Sequence, residues 1–246
     1  MLDSFKRWVA RAPEAPDWSA VAEWARQRQG QFKRARENEG FVVEGTQDGR
    51  AWRLEWGPPQ RSYIEGRELR LRMELGLPPD LQMLLMSRPL METLERQTFE
   101  RYTEQMQTQI DVATPEEMRW LAMLPKVALA VDRDFKSRFG AVAIAPRLGS
   151  AWIEGALAER LAQAALGALA AQPPFVLMTL RGRIYLRTQL AEPDVAVLGV
   201  MADLFETAAA QAVRVVGGVA EGGDGWASTA STAWQTQLQP EPPADR

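Results

Sequence analysis

The sequence predicts an α+β fold in which helices pack on the apolar face of an antiparallel, hairpin-rich sheet. Residues 41–57 and 174–190 each have the pattern of two strands joined by a tight turn. Residues 68–75 alternate strictly between charged and apolar side chains, which is typical of a strand with one exposed and one buried face. Segments with helical spacing follow the strands in both halves of the chain, and this completes the α+β assignment.

The first hairpin, FVVEGTQDGRAWRLEWG, determines which of its side chains are neighbours. Its central dipeptide, Asp48-Gly49, suits the two positive-φ positions of a type I′ turn. Closing the strands there places apolar side chains on one face, namely Phe41, Val43, Trp52, Leu54 and Trp56. The opposite face receives Val42, Glu44, Arg53 and Glu55. Trp52 and Trp56 could stack on a ligand, but this register predicts that they belong to the core.

The residues before the hairpin predict a helical N-terminal segment, residues 1–39. Residues 1–12 could form a short amphipathic helix, and prolines separate it from a second helix. Asp17 is a candidate cap for this second helix, which we expect to run to about Glu37 before Gly40 ends it.

After the hairpin, the pattern predicts two strands and two helices. LQMLLMSR, residues 81–88, is apolar on both faces and indicates a more fully buried strand than residues 68–75. A helix is expected from there to about Ile110. TPEE, residues 114–117, has the form of an N-cap, a proline and a capping-box Glu117, and should open a short helix.

The second half repeats this mixture of strands and helices. Strands are predicted at KVALAV and AVAIAP, joined by the charged loop DRDFKSRFG. An alanine-rich helix should occupy residues 154–171, and the hairpin of residues 174–190 should turn near Arg181-Gly182. A long helix is expected from Pro193 to about Val216, with Gly217-Gly218 as its stop.

These elements divide the chain into three parts. They are the helical segment of residues 1–39, an α+β domain of residues 40–218, and a tail of residues 219–246. The domain has two candidate halves, about 40–124 and 125–218, which each pass from strands to helices but share no residue-level repeat. The tail is rich in Gly, Ser, Thr, Pro and Gln, which predicts disorder.

The composition excludes several chemistries. The 246 residues include no histidine and no cysteine, so thiol nucleophiles, disulfides and the commonest general base are missing. No motif such as GxxxxGK[ST] or GxSxG occurs. We therefore expect a protein without catalytic activity and without a cofactor.

The charge and hydropathy patterns bear on partners and location. A net charge of −3 argues against a nucleic-acid-coating protein. No uninterrupted apolar run approaches the roughly 18 residues of a transmembrane helix, and the start lacks the core of a secretory signal. A soluble, cytoplasmic protein is expected. Arginine far outnumbers lysine and alanine is abundant, which is typical of GC-rich bacterial genomes.

Two groups of charged residues are candidate binding sites. Arginines and glutamates alternate on the exposed strand face and predict a solvated, self-paired surface rather than an anion site. These residues are Glu44, Arg53, Glu55, Glu68, Arg70, Arg72 and Glu74. Acidic residues at 116–117, 132–134 and 203–206 lack the spacing of a metal loop, so no metal site is predicted.

The leading functional hypothesis is a non-catalytic protein that acts through protein–protein interaction. Four aromatic residues in the chain ends are candidate partner contacts, namely Phe5, Trp8, Trp226 and Trp234. The oligomeric state and the partner are open.

The alternative hypothesis is a small-molecule-binding protein, or a histidine-free enzyme, with a pocket between sheet and helices. Its candidate polar contacts are Arg138, Arg147, Tyr185 and Arg187. A weaker alternative is peripheral membrane association through residues 2–11.

Overall fold

The computed structural model describes residues 16–35, 39–104 and 114–221. Over these residues the chain forms seven helices and one eight-stranded antiparallel sheet, which confirms the α+β prediction. The strands are β1 (Gln31–Arg34), β2 (Phe41–Gln47), β3 (Arg50–Gly57), β4 (Glu68–Glu74), β5 (Met83–Ser87), β6 (Phe139–Ala143), β7 (Phe175–Leu180) and β8 (Arg183–Gln189). The helices are α1 (Ser19–Gln27), α2 (Arg88–Glu104), α3 (Glu116–Met123), α4 (Arg133–Arg138), α5 (Pro146–Ile153), α6 (Ala156–Leu166) and α7 (Val195–Glu221).

The strands lie in the order β1-β2-β3-β4-β8-β7-β5-β6. β5 comes from residues 40–124, yet it lies between β7 and β6 of residues 125–218, so the two parts of the domain interleave in one sheet. β4 lies between β3, its neighbour in sequence, and β8, which is distant in sequence.

The first hairpin has the predicted register. Phe41 lies opposite Trp56 and Gly45 opposite Trp52, and the turn residues Asp48 and Gly49 have φ values of 49° and 75°. A Cβ on Gly45 would lie 2.7 Å from the Trp52 indole, so the missing side chain makes room for the ring. The prediction that these tryptophans belong to the apolar face is confirmed.

The first face of the sheet is covered by α1, α5, α6 and α7. An aromatic group joins α1 to the first hairpin, with Trp18 edge-on to Trp56 at 5.4 Å and tilted against Phe41 at 5.3 Å. Trp152 of α5 is fully buried, and its Nε1 donates a 2.9 Å hydrogen bond to the Ala208 carbonyl of α7. This face holds the larger apolar core.

The second face is covered over only part of its width. Leu84 and Met86 of β5 and Met178 of β7 pack with α2 and α3 in a separate apolar cluster. β5 is buried on both faces, as predicted. Among the described elements, no helix covers the second face of β1 to β4, and Arg72 is exposed there.

α7 is the most apolar element of the described residues. Over residues 195–218 it is long and apolar enough to span a membrane by length and composition, with a mean hydropathy of 1.3. However, it packs against α5, α6, α1 and β4, and Leu198, Leu204 and Ala208 are buried there. Its hydropathy is that of a core helix and is compatible with a soluble protein.

The predicted N-terminal helix is wrong in its length. α1 ends at Gln27, and the residues expected to continue it to Glu37 turn into β1. A Cβ on Gly30 would lie 2.8 Å from a Val43 methyl group, so the backbone approaches β2 too closely for a side chain. This close approach brings the next residues into pairing with β2.

Two assignments before β6 are also wrong. KVALAV forms only an isolated bridge between Lys126 and Val142, in which the Val127 amide donates to the Ala141 carbonyl at 2.9 Å and the Ala143 amide donates to the Pro125 carbonyl at 3.1 Å. The loop predicted after it contains α4. Asp132 caps this helix by accepting a 2.7 Å hydrogen bond from the Phe135 amide, and Phe135 is buried.

Glycines explain the differences at the later helices. The helix expected at residues 154–171 is shorter, because α6 covers only Ala156–Leu166. The sequence did not predict α5, which precedes it and is separated from it at Gly155, a residue with a φ of 82°. Conversely, α7 continues past the predicted stop at Gly217 and Gly218 to Glu221. Glycine permits the left-handed backbone conformation that often ends a helix, but it does not require that conformation.

Three predicted features lie outside the described residues. They are the helix of residues 1–12, the last part of the helix expected to reach Ile110, and residues 222–246 of the tail.

Candidate functional site

A chain of ion pairs crosses the helix-free part of the second face. We call it the ion ladder. Its pairs are Lys33–Glu44, Glu44–Arg53, Arg53–Glu55, Glu55–Arg70, Arg70–Glu68 and Glu68–Arg187. Side-chain exposure falls from 57% at Lys33 on the sheet edge to 0% at Glu68. The self-pairing predicted for this face is confirmed for these residues.

Glu68 is the buried centre of the ladder. Its Oε1 accepts a 2.6 Å hydrogen bond from Arg187 Nη1, and its Oε2 accepts bonds from the Gln60 amide at 2.6 Å and Arg70 Nη1 at 3.2 Å. A buried carboxylate is tolerated only when it is paired and hydrogen-bonded. Glu68 therefore holds both arginines and the start of the β3–β4 loop in place.

The outer carboxylates stay ionised through their arginine neighbours. Burial raises the pKa of Glu55, but hydrogen bonds from Arg53 and Arg70 outweigh it and hold the pKa below its ordinary value. Hydrogen bonds from Lys33 and Arg53 likewise lower the pKa of Glu44. Glu44 and Glu55 are thus ionised at neutral pH.

Arg72 is the exception on this face. It is exposed, and none of the described carboxylates pairs with it. In the sheet it lies opposite Arg53 on β3 and opposite Tyr185 on β8. Like charges directly opposite one another destabilise a sheet. Arg53 turns toward Glu44 and Glu55, so Arg72 carries a charge that the described protein leaves uncompensated.

A cleft of about 140 Å³ lies over this region, and we call it the arginine cleft. Its polar lining consists of Arg53, Glu55, Gln60, Arg70, Arg72, Tyr185 and Arg187. Four guanidinium groups thus face one carboxylate within the lining. Glu68 lies outside this lining and balances the positive charges of Arg70 and Arg187.

The unused hydrogen-bond donors define what the cleft can bind. Within the described residues, Arg53 Nη2, Arg187 Nε and Nη2, and the whole Arg72 guanidinium have no acceptor. These groups remain charged at any accessible pH and offer paired donors in a plane. Such donors match carboxylate and phosphate oxygens.

The β3–β4 loop is attached to α3 by Glu117. This carboxylate is fully buried, and its Oε1 accepts hydrogen bonds from Arg61 Nε at 3.1 Å and the Tyr63 hydroxyl at 2.9 Å. Burial and the neighbouring Glu117 raise the pKa of Tyr63, so the phenol stays protonated. The capping-box role predicted for Glu117 is wrong, because its side chain binds the loop instead of the helix start.

The four arginine and tyrosine candidates lie in three places. Tyr185 and Arg187 line the arginine cleft. Arg138 lines a small cavity of about 10 Å³ beside Ser87, and its Nη1 is buried without an acceptor among the described residues. Arg147 is exposed on α5, which packs on the first face. They do not converge on one pocket.

The aromatic residues considered as binding contacts lie in different environments. Trp56 is buried, and its Nε1 donates a 2.8 Å bond to the Leu190 carbonyl. Trp52 is half-buried and lines a small apolar cavity of about 10 Å³ with Met73 and Phe205, between sheet and helices. The candidate partner contacts Phe5, Trp8, Trp226 and Trp234 lie outside the described residues.

The sequence did not predict the roles of four residues. Three of them, Gln60, Arg61 and Tyr63, lie in the β3–β4 loop, and Glu117 lies at the start of α3. The sequence pattern also assigned Arg72 to the paired face. The β3–β4 register, which places Arg72 opposite Arg53, became visible only in the structure. No local pattern indicates that Tyr185 lies on the other side of Arg72.

No cluster of three acidic side chains that could hold a metal ion occurs among the residues described. No protein-family model matches the chain, and searches of curated proteins and of solved structures find no significant match.

Proposed function

We propose that this protein is a non-catalytic binding protein whose arginine cleft binds a small molecule with an anionic group, a carboxylate or a phosphate. The observation that carries the proposal is Arg72, an exposed guanidinium without a carboxylate partner in the described protein, opposite Arg53. An anionic ligand between the two side chains supplies the missing counter-charge.

The chemistry of the cleft favours binding over catalysis. Its ionisable groups are four arginines, one glutamate and one tyrosine. Arginine does not exchange protons at neutral pH and therefore serves recognition rather than acid–base catalysis. Glu55, the one carboxylate in the lining, is already bound by Arg53 and Arg70.

The test is a chemical-shift titration of the full chain with butyrate and, separately, with inorganic phosphate. Arg72→Gln should weaken binding about tenfold, the effect of losing one charge-assisted contact. Arg147→Gln is the matched control, because it removes an exposed arginine on the opposite face and should change nothing. Equal affinity of Arg72→Gln and wild type, or no binding by either anion, would overturn the proposal.

Protein–protein interaction through the chain ends is the second proposed function. Its support is Trp226 and Trp234, which stand in a segment otherwise rich in Gly, Ser, Thr, Pro and Gln. Deletion of residues 1–15 or 222–246 keeps every described element, and one of the two deletions should abolish capture of a partner. An unchanged set of partners in both would refute the idea.

We also propose a cytoplasmic location, supported by the use of α7 as a core helix. Residues 2–11 are the candidate for peripheral membrane contact. Flotation with anionic liposomes tests that contact, and deletion of residues 1–15 should remove any flotation.

A further inference from the structure

We propose that the ligand of the arginine cleft is a small molecule with two anionic groups. The first group binds between Arg53 and Arg72, and the second binds Arg187, with the body of the molecule against Tyr185. This inference rests on the proposed function and specifies its ligand class.

The sheet register places the two anion sites in neighbouring rows. The Arg72 row consists of Arg53, Arg72 and Tyr185, which lie side by side on β3, β4 and β8. The next row, the Arg70 row, consists of Glu55, Arg70 and Arg187 on the same three strands. All six residues project from the second face and line the cleft.

Arg70 separates the two sites because its donors are already used. Its Nε and Nη2 bond to Glu55 Oε2 at 3.3 and 3.0 Å, and its Nη1 bonds to the Pro58 carbonyl at 2.8 Å and to Glu68 Oε2 at 3.2 Å. A ligand anion therefore gains little at Arg70. It gains more at Arg72 on one side and at Arg187 on the other.

Arg187 is a prepared second site. Its side chain is only 14% exposed, and Nη1 is held by Glu68. The Nε and Nη2 atoms have no acceptor in the described part of the chain, although they belong to a guanidinium that lines the cleft. A fixed, partly desolvated donor loses little freedom on binding, which favours affinity.

The separation of the two sites sets the size of the ligand. Two residues along a strand span about 7 Å and neighbouring strands lie about 4.8 Å apart, so Arg72 and Arg187 are separated by about 8 Å along the sheet. Tyr185 lies beside Arg72 in its row and two residues before Arg187 on β8. Its ring packs against the second apolar cluster and gives the middle of the ligand an apolar surface.

A small molecule fits this site better than an acidic peptide strand. The floor strands β3, β4 and β8 are all internal to the sheet, so the cleft has no free strand edge for a peptide backbone.

The experiment compares butyrate with dicarboxylates of increasing length, from glutarate to suberate, by the same titration. The best dicarboxylate should bind about tenfold more tightly than butyrate, since it gains a second charge-assisted contact. Alkyl phosphates and the matching bisphosphates form a second arm that distinguishes carboxylate from phosphate ligands. The series, carboxylate or phosphate, in which the second anionic group increases the affinity more identifies the natural anionic group.

Arg187→Lys tests the second site while a positive charge remains beside the Glu68 carboxylate. Lysine keeps a positive charge near that carboxylate but lacks the planar fork of donors. The variant should reduce the advantage of the dicarboxylate, measured as the ratio of its affinity to that of butyrate, to about one. Arg72→Gln should weaken both ligands, and Arg147→Gln neither.

The failures of the two proposals are distinguishable. If butyrate binds through Arg72 but no dicarboxylate or bisphosphate binds more tightly, the two-anion inference falls and the proposed function stands. If a Glu-Ala-Glu peptide binds tightly and no small dianion does, the ligand class is refuted in favour of a peptide. If no anion binds, both proposals fall.

Discussion

Replacing Glu68 by glutamine should destabilise the fold more than any other single amide substitution in the ion ladder. Glu68 is fully buried and neutralises two arginines that are themselves only 14% and 15% exposed. Glutamine keeps the volume and one acceptor but removes the charge, so Arg70 and Arg187 lose a buried counter-ion. Breaking a buried ion pair from one side costs about 3 to 5 kcal/mol, and the retained acceptor favours the lower end.

We therefore expect Glu68→Gln to lower the free energy of unfolding by about 3 kcal/mol. For a domain of this size, that corresponds to a decrease in Tm of roughly 6 to 12 °C. Urea unfolding followed by tryptophan fluorescence measures the free energy, and calorimetry measures Tm.

Glu74→Gln is the matched control on the same strand. Glu74 pairs with Arg183 at 2.6 Å, but its side chain is 54% exposed, and exposed pairs contribute about 1 kcal/mol or less. If the two substitutions change the free energy of unfolding equally, Glu68 does not act as a buried counter-ion, and the account of the ladder is wrong.

Three further substitutions and one pH titration probe the rest of the molecule. Gly45→Ala should lower the free energy of unfolding by about 1 to 3 kcal/mol, because the new methyl group would lie 2.7 Å from the Trp52 indole. Gly217→Ala has open space around the new methyl group and should raise the free energy of unfolding by up to about 1 kcal/mol. Urea unfolding measures both changes. The lowered pKa of Glu55 means that its stabilising contribution is complete above its ordinary value of 4.5 and is lost as the pH falls through the folded-state value. Glu55→Gln should therefore flatten the dependence of stability on pH below that value, and an unchanged slope would contradict the assignment.

The parts of the fold that follow from local rules were predictable. The Asp48-Gly49 turn determines the β2–β3 register, and with it the faces of Trp52 and Trp56. Arg181-Gly182 does the same for β7 and β8, where Arg181 and Gly182 have positive φ as a tight turn requires. In both hairpins the partners are close in sequence, so the turn alone specifies their pairing.

The errors occurred where a residue has a tertiary partner that competes with a local pattern. After α1 ends at Gln27, Gln29 adopts a left-handed φ of 56° and Gly30 lies against Val43 of β2, although polar residues with good helix propensity follow. Glu117 stands where a capping box expects it, but Arg61 and Tyr63 bind its carboxylate. Neither partner is visible in the local sequence.

The candidate site was only half predictable for the same reason. Arg53, Arg70, Arg72, Tyr185 and Arg187 were each recognised as chemically notable, but as members of separate groups. The pairing of β4 with β8 unites them, since it places Tyr185 beside Arg72 and Arg187 beside Arg70.

The sequence by itself determined the α+β class, the two hairpins and the charged character of one strand face, because these depend on turn geometry and on the two-residue period of a strand. Only the tertiary structure decided that β8 joins β4, that α2 and α3 stop short of the charged strands, and that Arg72 is left without a carboxylate. Strand order between distant segments is selected by the burial of the whole core, and no local stretch of residues encodes that choice.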